Sequence, residues 1–340
     1  ISATDSIVED IDKVISSEEK LFDFPDINEP QNITNKRYIT PPYHTSYLKI
    51  AEGCDKNCTY CSIPMIRGKF RSIPMEELVK EADYLAKNGV TEIILIAQET
   101  TVYGQDLYGK KSLPELVAKI SQIEELKWIR IMYCYPEEID DEFIDMIANN
   151  DKVCHYLDIP IQHSSDFILQ RMGRKTSSKD LYTIINKLRD RIPDIALRTS
   201  LITGFPGETE EDFENLIKFV KDIEFDRLGV FTYSREEGTL AYSFKNQVPQ
   251  KIKNSRRKQI MELQSEISEN KNSKMVGKVL EAIIDGYDPE NDVFVGRLYK
   301  DAPDVDGVVF ISNAHSLISG DYVKVLITDY NEYDLIGELQ

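Results

Sequence analysis

Residues 53–61 read Gly53-Cys54-Asp55-Lys56-Asn57-Cys58-Thr59-Tyr60-Cys61. Three cysteines fall within this stretch, with three and then two residues between them. Three thiolates can hold three irons of a four-iron–four-sulfur cluster, since cysteine sulfur is the usual ligand of such clusters. The fourth iron then has no protein ligand from this loop and stays open to a substrate. A cluster that only carries electrons would want four cysteines.

Zinc competes for the same stretch. A closed zinc site needs four ligands, and Cys-x-x-Cys usually pairs with a second Cys or His couple. Cys58 and Cys61 could form one couple, but no His follows nearby and the nearest upstream is His44. The remaining cysteines, Cys134 and Cys154, stand alone in apolar stretches, where a buried structural thiol is the simpler reading. A disulfide framework fits poorly, because five cysteines is an odd count and no charged-then-apolar signal segment opens the sequence. Spacing alone therefore favours a cluster over zinc, with a structural zinc protein carrying a β-barrel binding module as the non-enzyme alternative.

At 340 residues the chain is long enough for two or three domains. It has no apolar run of the roughly 18 residues a membrane span needs. Free thiols point to a reducing cytoplasm. The formal net charge is −18. A protein that holds nucleic acid by neutralising phosphates shows basic patches, so this balance argues against direct nucleic-acid binding and for a basic partner. Plain solubility accounts for the total equally well.

Residues 1–42 contain one amphipathic helix candidate. A polar stretch follows, with turn signals at Phe24-Pro25-Asp26 and Glu29-Pro30, which reads as a linker. From residue 43 to 250, strands and helices alternate, which argues a parallel α/β sheet. A strand enters Cys54 from Tyr47. Others are expected at Ile93–Ile96, Trp128–Tyr133, Tyr156–Ile161, Ala196–Ile202 and Leu228–Phe231. Helices are expected after Pro74 and over Leu113–Ser121, Asp140–Asn149, Ser178–Arg191 and Glu210–Ile223, the last with Thr209 and Asp212 as an N-terminal cap pair. Six βα units suit an open, partial barrel rather than a closed eightfold one, with its site at the C-terminal strand ends. Residues 251–274 form a long connecting helix with Ile260, Leu263 and Ile267 facing the body, and its Arg256-Arg257-Lys258 run is expected to be solvated surface. Over 275–340, five short strands with Gly and Asp turns suit a small all-β barrel.

The run YLKIAEGCDKNCTYCSIPMIRG, from Tyr47 to Gly68, resembles radical S-adenosylmethionine (SAM) enzymes, and among them the methylthiotransferases. The resemblance extends from Tyr47 to the C-terminus, where 275–340 is similar to the TRAM domain that closes those enzymes. It implies a partial (βα)6 radical SAM barrel. It also implies a [4Fe-4S] cluster on Cys54, Cys58 and Cys61, with SAM chelating the open iron. Tyr60, Gln98, Glu99, Gln162, Arg198 and Ile202 are the SAM-contact candidates. Gln98 or Glu99 would take the amino group, and Arg198 the carboxylate in two-point geometry. His163, a single histidine, reads as a hydrogen-bonding loop residue rather than a proton carrier.

Within that family, one branch (the MiaB type) modifies a transfer-RNA adenosine. The other (the RimO type) modifies the β-carbon of an aspartate in small-subunit ribosomal protein number twelve. The runs YLKIAEGC, AQETTVYG and IPIQHSS resemble the second branch. Charge agrees, since 275–340 carries 13 Asp/Glu against 4 Lys/Arg, and ribosomal proteins are basic. The resemblance also implies an electron donor and a second, sulfur-supplying [4Fe-4S] cluster in an N-terminal domain with three more cysteines. No cysteine precedes Cys54 in this sequence. The expectation is therefore that such a domain has been removed, that these residues bind one cluster and cleave SAM without completing methylthiolation, and that the chain is monomeric.

Overall fold

The computed structural model describes residues 7–17, 26–28, 39–41 and 43–340. The Glu29-Pro30 turn signal, and all but Asp26 of Phe24-Pro25-Asp26, lie outside the described residues. Ile7–Ser17 is a helix, matching the amphipathic pattern there.

The first sheet is wholly parallel and has six strands in sequence order: β1 (Thr45–Lys49), β4 (Glu92–Ile96), β5 (Trp128–Ile131), β6 (Val153–Asp158), β7 (Ala196–Thr203) and β8 (Arg227–Thr232). The short β2 (Ala51–Glu52) and β3 (Arg71–Ser72) pair with each other and brace the cysteine loop between them. Six strands do not close a cylinder that needs eight, so β1 and β8 are free edges of an open barrel.

Strand periodicity sets the two faces. Ile93, Leu95, Ile129, Leu157 and Leu197 point outward into a core shared with the covering helices. Their neighbours Ile94, Trp128, Tyr156 and Ala196 point the other way and meet Ile283 and Ala302 of the C-terminal barrel. That barrel is closed, in the order β10 (Val293–Leu298), β11 (Val309–Ser312), β13 (Leu335–Leu339), β12 (Tyr322–Tyr330), β9 (Val279–Asp288). It therefore plugs the end of the sheet where β5, β6 and β7 begin, and leaves the opposite, C-terminal strand ends free.

The helices start where their caps predict. Glu210–Ile223 opens on a complete capping box between Thr209 and Asp212. Ser178–Arg191 opens on another, between Ser177 and Asp180. The connecting helix runs Gln250–Ser273, with Ile260 and Ile267 buried. Its basic run is solvated surface as expected at Arg257 and Lys258 but not at Arg256. Arg256 is buried against Glu208 at 2.7 Å and Glu210 at 2.8 Å, and Arg257 Nε donates to the Val230 carbonyl at 3.1 Å. Arg257, although it makes that bond, and Lys258 are both exposed. The helix lies along the edge strand β8, so the face carrying Lys253, Arg256 and Ile260 meets protein rather than solvent.

β6 begins and ends three residues before the expected Tyr156–Ile161. Pro160 lacks an N–H to continue the ladder, and the chain leaves regular pairing there. A single bridge from Gln162 to Leu201 restores contact with β7.

Candidate active site

The cysteine loop leaves the sheet at the C-terminal end of β1. Gly53 makes this exit possible: its φ is +81°, and a Cβ there would meet the Lys69 carbonyl oxygen at 2.1 Å. The Cys54 N–H then donates to the Gly68 carbonyl at 3.2 Å, and Asp55 accepts from the Phe70 N–H at 3.1 Å. The far side of the loop is held by a different part of the chain. Thr59 donates its N–H to the Met172 carbonyl and its hydroxyl to the Arg171 carbonyl. Gly173 lies so near that a Cβ would meet the Asn57 oxygen at 2.5 Å.

Cys54 and Cys58 are buried and Cys61 is half-buried, and all three are free thiols. Burial pushes the Cys54 thiol up to about 11 and also raises Cys61. Thiols so placed stay protonated unless a positive charge joins them, and a bound metal deprotonates coordinating thiols outright. Backbone N–H groups already face two of the sulfurs, that of Ile63 donating to Cys61 Sγ at 3.4 Å. Among the described residues, no three His, Cys, Asp or Glu side chains are gathered tightly enough to chelate one metal ion. The donor set fits a polynuclear iron–sulfur group, whose sulfur ligands are spread over several irons.

The strand ends close around this loop. Gln98, just past β4, accepts the Gly53 N–H on its side-chain oxygen at 2.8 Å. Glu99 is buried, with Oε1 accepting from the Thr101 N–H and hydroxyl, Oε2 unpartnered, and Lys56 3.8 Å away. Burial pushes its carboxyl up to about 7, against the pull of Thr101 and Lys56. Gln162, with φ +70°, accepts the Ile202 N–H on its carbonyl at 2.8 Å. Ile202 and Tyr60 pack on one apolar cluster with Phe205 and Tyr233, and the Tyr60 and Phe205 rings meet edge-on at 6.4 Å. Five of the six SAM-contact candidates are thus linked to the cysteine loop at one mouth of the barrel.

Arg198 is not among them. It sits four residues before Ile202 on β7, about 13 Å lower along the strand. Asp158 holds its Nη1 at 2.9 Å and Asp306 its Nε at 3.4 Å. His163 is fully buried: Nδ1 accepts from the Ser165 N–H at 2.9 Å, and burial lowers the ring to about 3. Cys134 and Cys154 are buried, as a structural role requires.

The site also contains residues that pattern alone did not single out. Tyr135 places its hydroxyl 3.7 Å from Cys58 Sγ. Arg174 is buried, donates Nη2 to the Pro160 carbonyl at 3.1 Å, and leaves Nε and Nη1 without partners. Lys56 bonds Glu138 at 2.5 Å and lies 3.5 Å from Glu137. The only signal in the sequence was the clustering of Tyr, Pro and Glu after β5.

The model of the Radical SAM superfamily matches residues 48–220 of this chain, and the TRAM domain model matches 276–339. Ribosomal protein uS12 methylthiotransferase RimO of Lachnoclostridium phytofermentans is 56% identical over 98% of this chain and 76% of its own length. The chain belongs to the RimO family of radical SAM methylthiotransferases. The protein of that name from Acetivibrio thermocellus is 49% identical, over 100% of this chain and 76% of its own. Among solved structures, coproporphyrinogen III oxidase (HemN) from Escherichia coli, a radical SAM enzyme, superposes with a TM-score of 0.50 at 18% identity. The match covers 66% of this chain and 52% of that one, and it is a likeness of fold. The Radical SAM match spans the cysteine loop at the open mouth, and the TRAM match spans the barrel at the other end of the sheet.

Proposed function

We propose that this RimO-family protein takes part in attaching a methylthio group to the β-carbon of an aspartate in ribosomal protein uS12. The observation that carries the reading is the convergence of Cys54, Cys58 and Cys61 with Gln98, Glu99, Gln162 and Ile202 on one barrel mouth.

In this reading Cys54, Cys58 and Cys61 hold a [4Fe-4S] cluster with one open iron. A cluster held by these residues would supply the one-electron reductive cleavage of SAM that the family uses to take hydrogen from an unactivated C–H bond. The chain's own residues orient SAM. Glu99, a buried carboxylate whose Oε2 accepts no hydrogen bond and faces Lys56 only at 3.8 Å, accepts from the ammonium, whose charge would pull the raised carboxyl back to its ionised form. The unpartnered Nε and Nη1 of Arg174 take the carboxylate in two-point geometry, a role Arg198 cannot share while two aspartates hold it. The apolar patch of Tyr60, Ile202 and Phe205 seats the adenosyl part and excludes water.

The domain division follows the same reading: a linker over 1–42, the catalytic barrel over 43–250, a connecting helix over 251–274 and the TRAM barrel over 275–340. The acidic TRAM barrel suits a basic protein partner better than transfer RNA. A reducing, cytoplasmic setting and a separate electron donor fit its free thiols and the electron the reaction needs. Residues 1–340 contain five cysteines, two of them buried apart from the loop, so they supply ligands for one cluster.

Anaerobic reconstitution with iron and sulfide tests this. About four irons per chain are expected, since one cubane holds four, together with SAM cleavage to 5′-deoxyadenosine. Both should be lost in Cys58→Ser. Iron well above one cluster, or zinc in place of iron, would sink the reading. Mass spectrometry of uS12 and of transfer RNA after reaction with the natural full-length enzyme decides the substrate.

A further inference from the structure

Tyr135 ends the segment after β5 and opens the short 3-10 turn Pro136–Glu138. Its hydroxyl reaches Cys58 Sγ at 3.7 Å, within range of a hydrogen bond to sulfur. Two cations lie over its ring. The Arg174 guanidinium is 4.2 Å from the centroid, and the Lys56 Nζ is 5.0 Å away. Neither cation is there by chance of rotamer. Arg174 is tied to the Pro160 carbonyl and faces Glu137 at 3.8 Å, and Lys56 is tied to Glu138 by the same turn that carries Tyr135.

A cation over an aromatic face draws electron density from the ring. In a phenol this makes the hydroxyl a better donor. A donor aimed at a cluster's cysteine sulfur stabilises the reduced form, which carries one more negative charge, and hydrogen bonds to the sulfurs are among the levers that set cluster potentials. The surrounding burial strengthens the effect, because charge is poorly screened there.

We propose that Tyr135 is a positioning residue for the cluster. Its hydroxyl donates to the Cys58 sulfur, Lys56 and Arg174 reinforce that donation through the ring, and the trio raises the potential at which the cluster accepts its electron. The inference rests on the reading that Cys54, Cys58 and Cys61 hold a [4Fe-4S] cluster.

The test is an anaerobic redox titration of reconstituted protein with dithionite, followed by the paramagnetic resonance of the reduced cluster. Tyr135→Phe keeps the ring and removes the donor. It should retain wild-type iron and titrate at a more negative midpoint, whereas Tyr182→Phe, on a tyrosine bonded to Asp222 away from the site, should titrate as wild type. An unchanged or more positive midpoint in Tyr135→Phe at full iron overturns the proposal. If Tyr135→Phe takes up less iron, Arg174→Gln carries the test. It leaves the hydroxyl in place and should also move the midpoint down, and no movement there overturns the proposal. Absence of iron from the wild-type protein would instead strike the underlying cluster assignment.

Discussion

Arg297 of the TRAM barrel places Nη2 2.8 Å from Oε2 of Glu92, the first residue of β4, and both side chains are buried. Glu92 also takes Arg130 Nε at 3.0 Å. Arg297 Nε donates to Asp285 at 2.7 Å, and Asp285 in turn lies 2.9 Å from His44 Nε2. The two barrels are thus joined by one desolvated ion network as well as by apolar contact. Removing one member of a buried pair leaves an uncompensated charge and costs about 3–5 kcal/mol. Arg297→Ala should therefore lower the thermal midpoint markedly, and Arg297→Lys, which keeps charge but loses the fork, less so. A thermal melt of Arg297→Ala superimposing on wild type would refute the coupling.

The same network predicts an acid limb. Burial alone would raise the Glu92 carboxyl, but Arg130 and Arg297 outweigh it and hold the group below the ordinary range. A depressed carboxyl contributes stability that is complete above its unfolded value of about 4.3 and is lost as pH falls through the folded one. Asp285 is lowered likewise once His44 and Arg297 offset its burial. Urea midpoints should put Glu92→Gln well below wild type at pH 7, with the gap narrowing by pH 3.

Glu99 predicts the opposite slope. Its carboxyl is pushed up to about 7 by burial, so in the cofactor-free protein it opposes folding increasingly as pH rises from the unfolded value through 7. A displacement of that size corresponds to roughly 3–4 kcal/mol. Glu99→Gln should be more stable than wild type at pH 8 and level with it near pH 4, while losing SAM affinity in the reconstituted protein. Equal stability at both pH values would contradict the shift.

Gly53→Ala should cripple the cysteine loop without unfolding the barrel. The added Cβ meets the Lys69 carbonyl at 2.1 Å and the left-handed backbone adds strain of about 1–2 kcal/mol. Iron uptake after reconstitution should fall several-fold while far-ultraviolet circular dichroism stays native. Full iron in this variant would show that the loop tolerates displacement.

Arg256→Ala and Lys258→Ala separate two neighbours of one helix. The first strands Glu208, whose carboxyl accepts from the Gly204 and Phe205 N–H groups at 2.6 and 3.1 Å and steadies the turn after β7. It should cost about 3–5 kcal/mol. Lys258 faces water and meets only Glu262 at 3.5 Å, so its loss should stay within about 0.5 kcal/mol in a denaturant titration.

Much of this fold is legible in the sequence alone. Local rules settle the elements: the Thr209–Asp212 capping box starts a helix, Ile93–Ile96 has the apolar continuity of a buried parallel strand, and the short strands with Gly and Asp turns after residue 275 make a barrel. The three cysteines announce their chemistry because their spacing is itself local. Where reading failed, a non-local partner had overruled the local signal. Arg256 looks like surface until β8 and Glu208 cover it. Arg198 has the chemistry to take a carboxylate, but Asp158 and Asp306 reach it first. Tyr135 and Arg174 carry no pattern of their own, and only folding brings them to Cys58. Short-range sequence determines which segments become strands, helices and a metal-ready loop, because caps, periodicity and thiol spacing act within a few residues. Which charges are buried together, and which side chains stand over the cysteines, is decided by the tertiary structure, because desolvation and ion pairing depend on neighbours a hundred residues away.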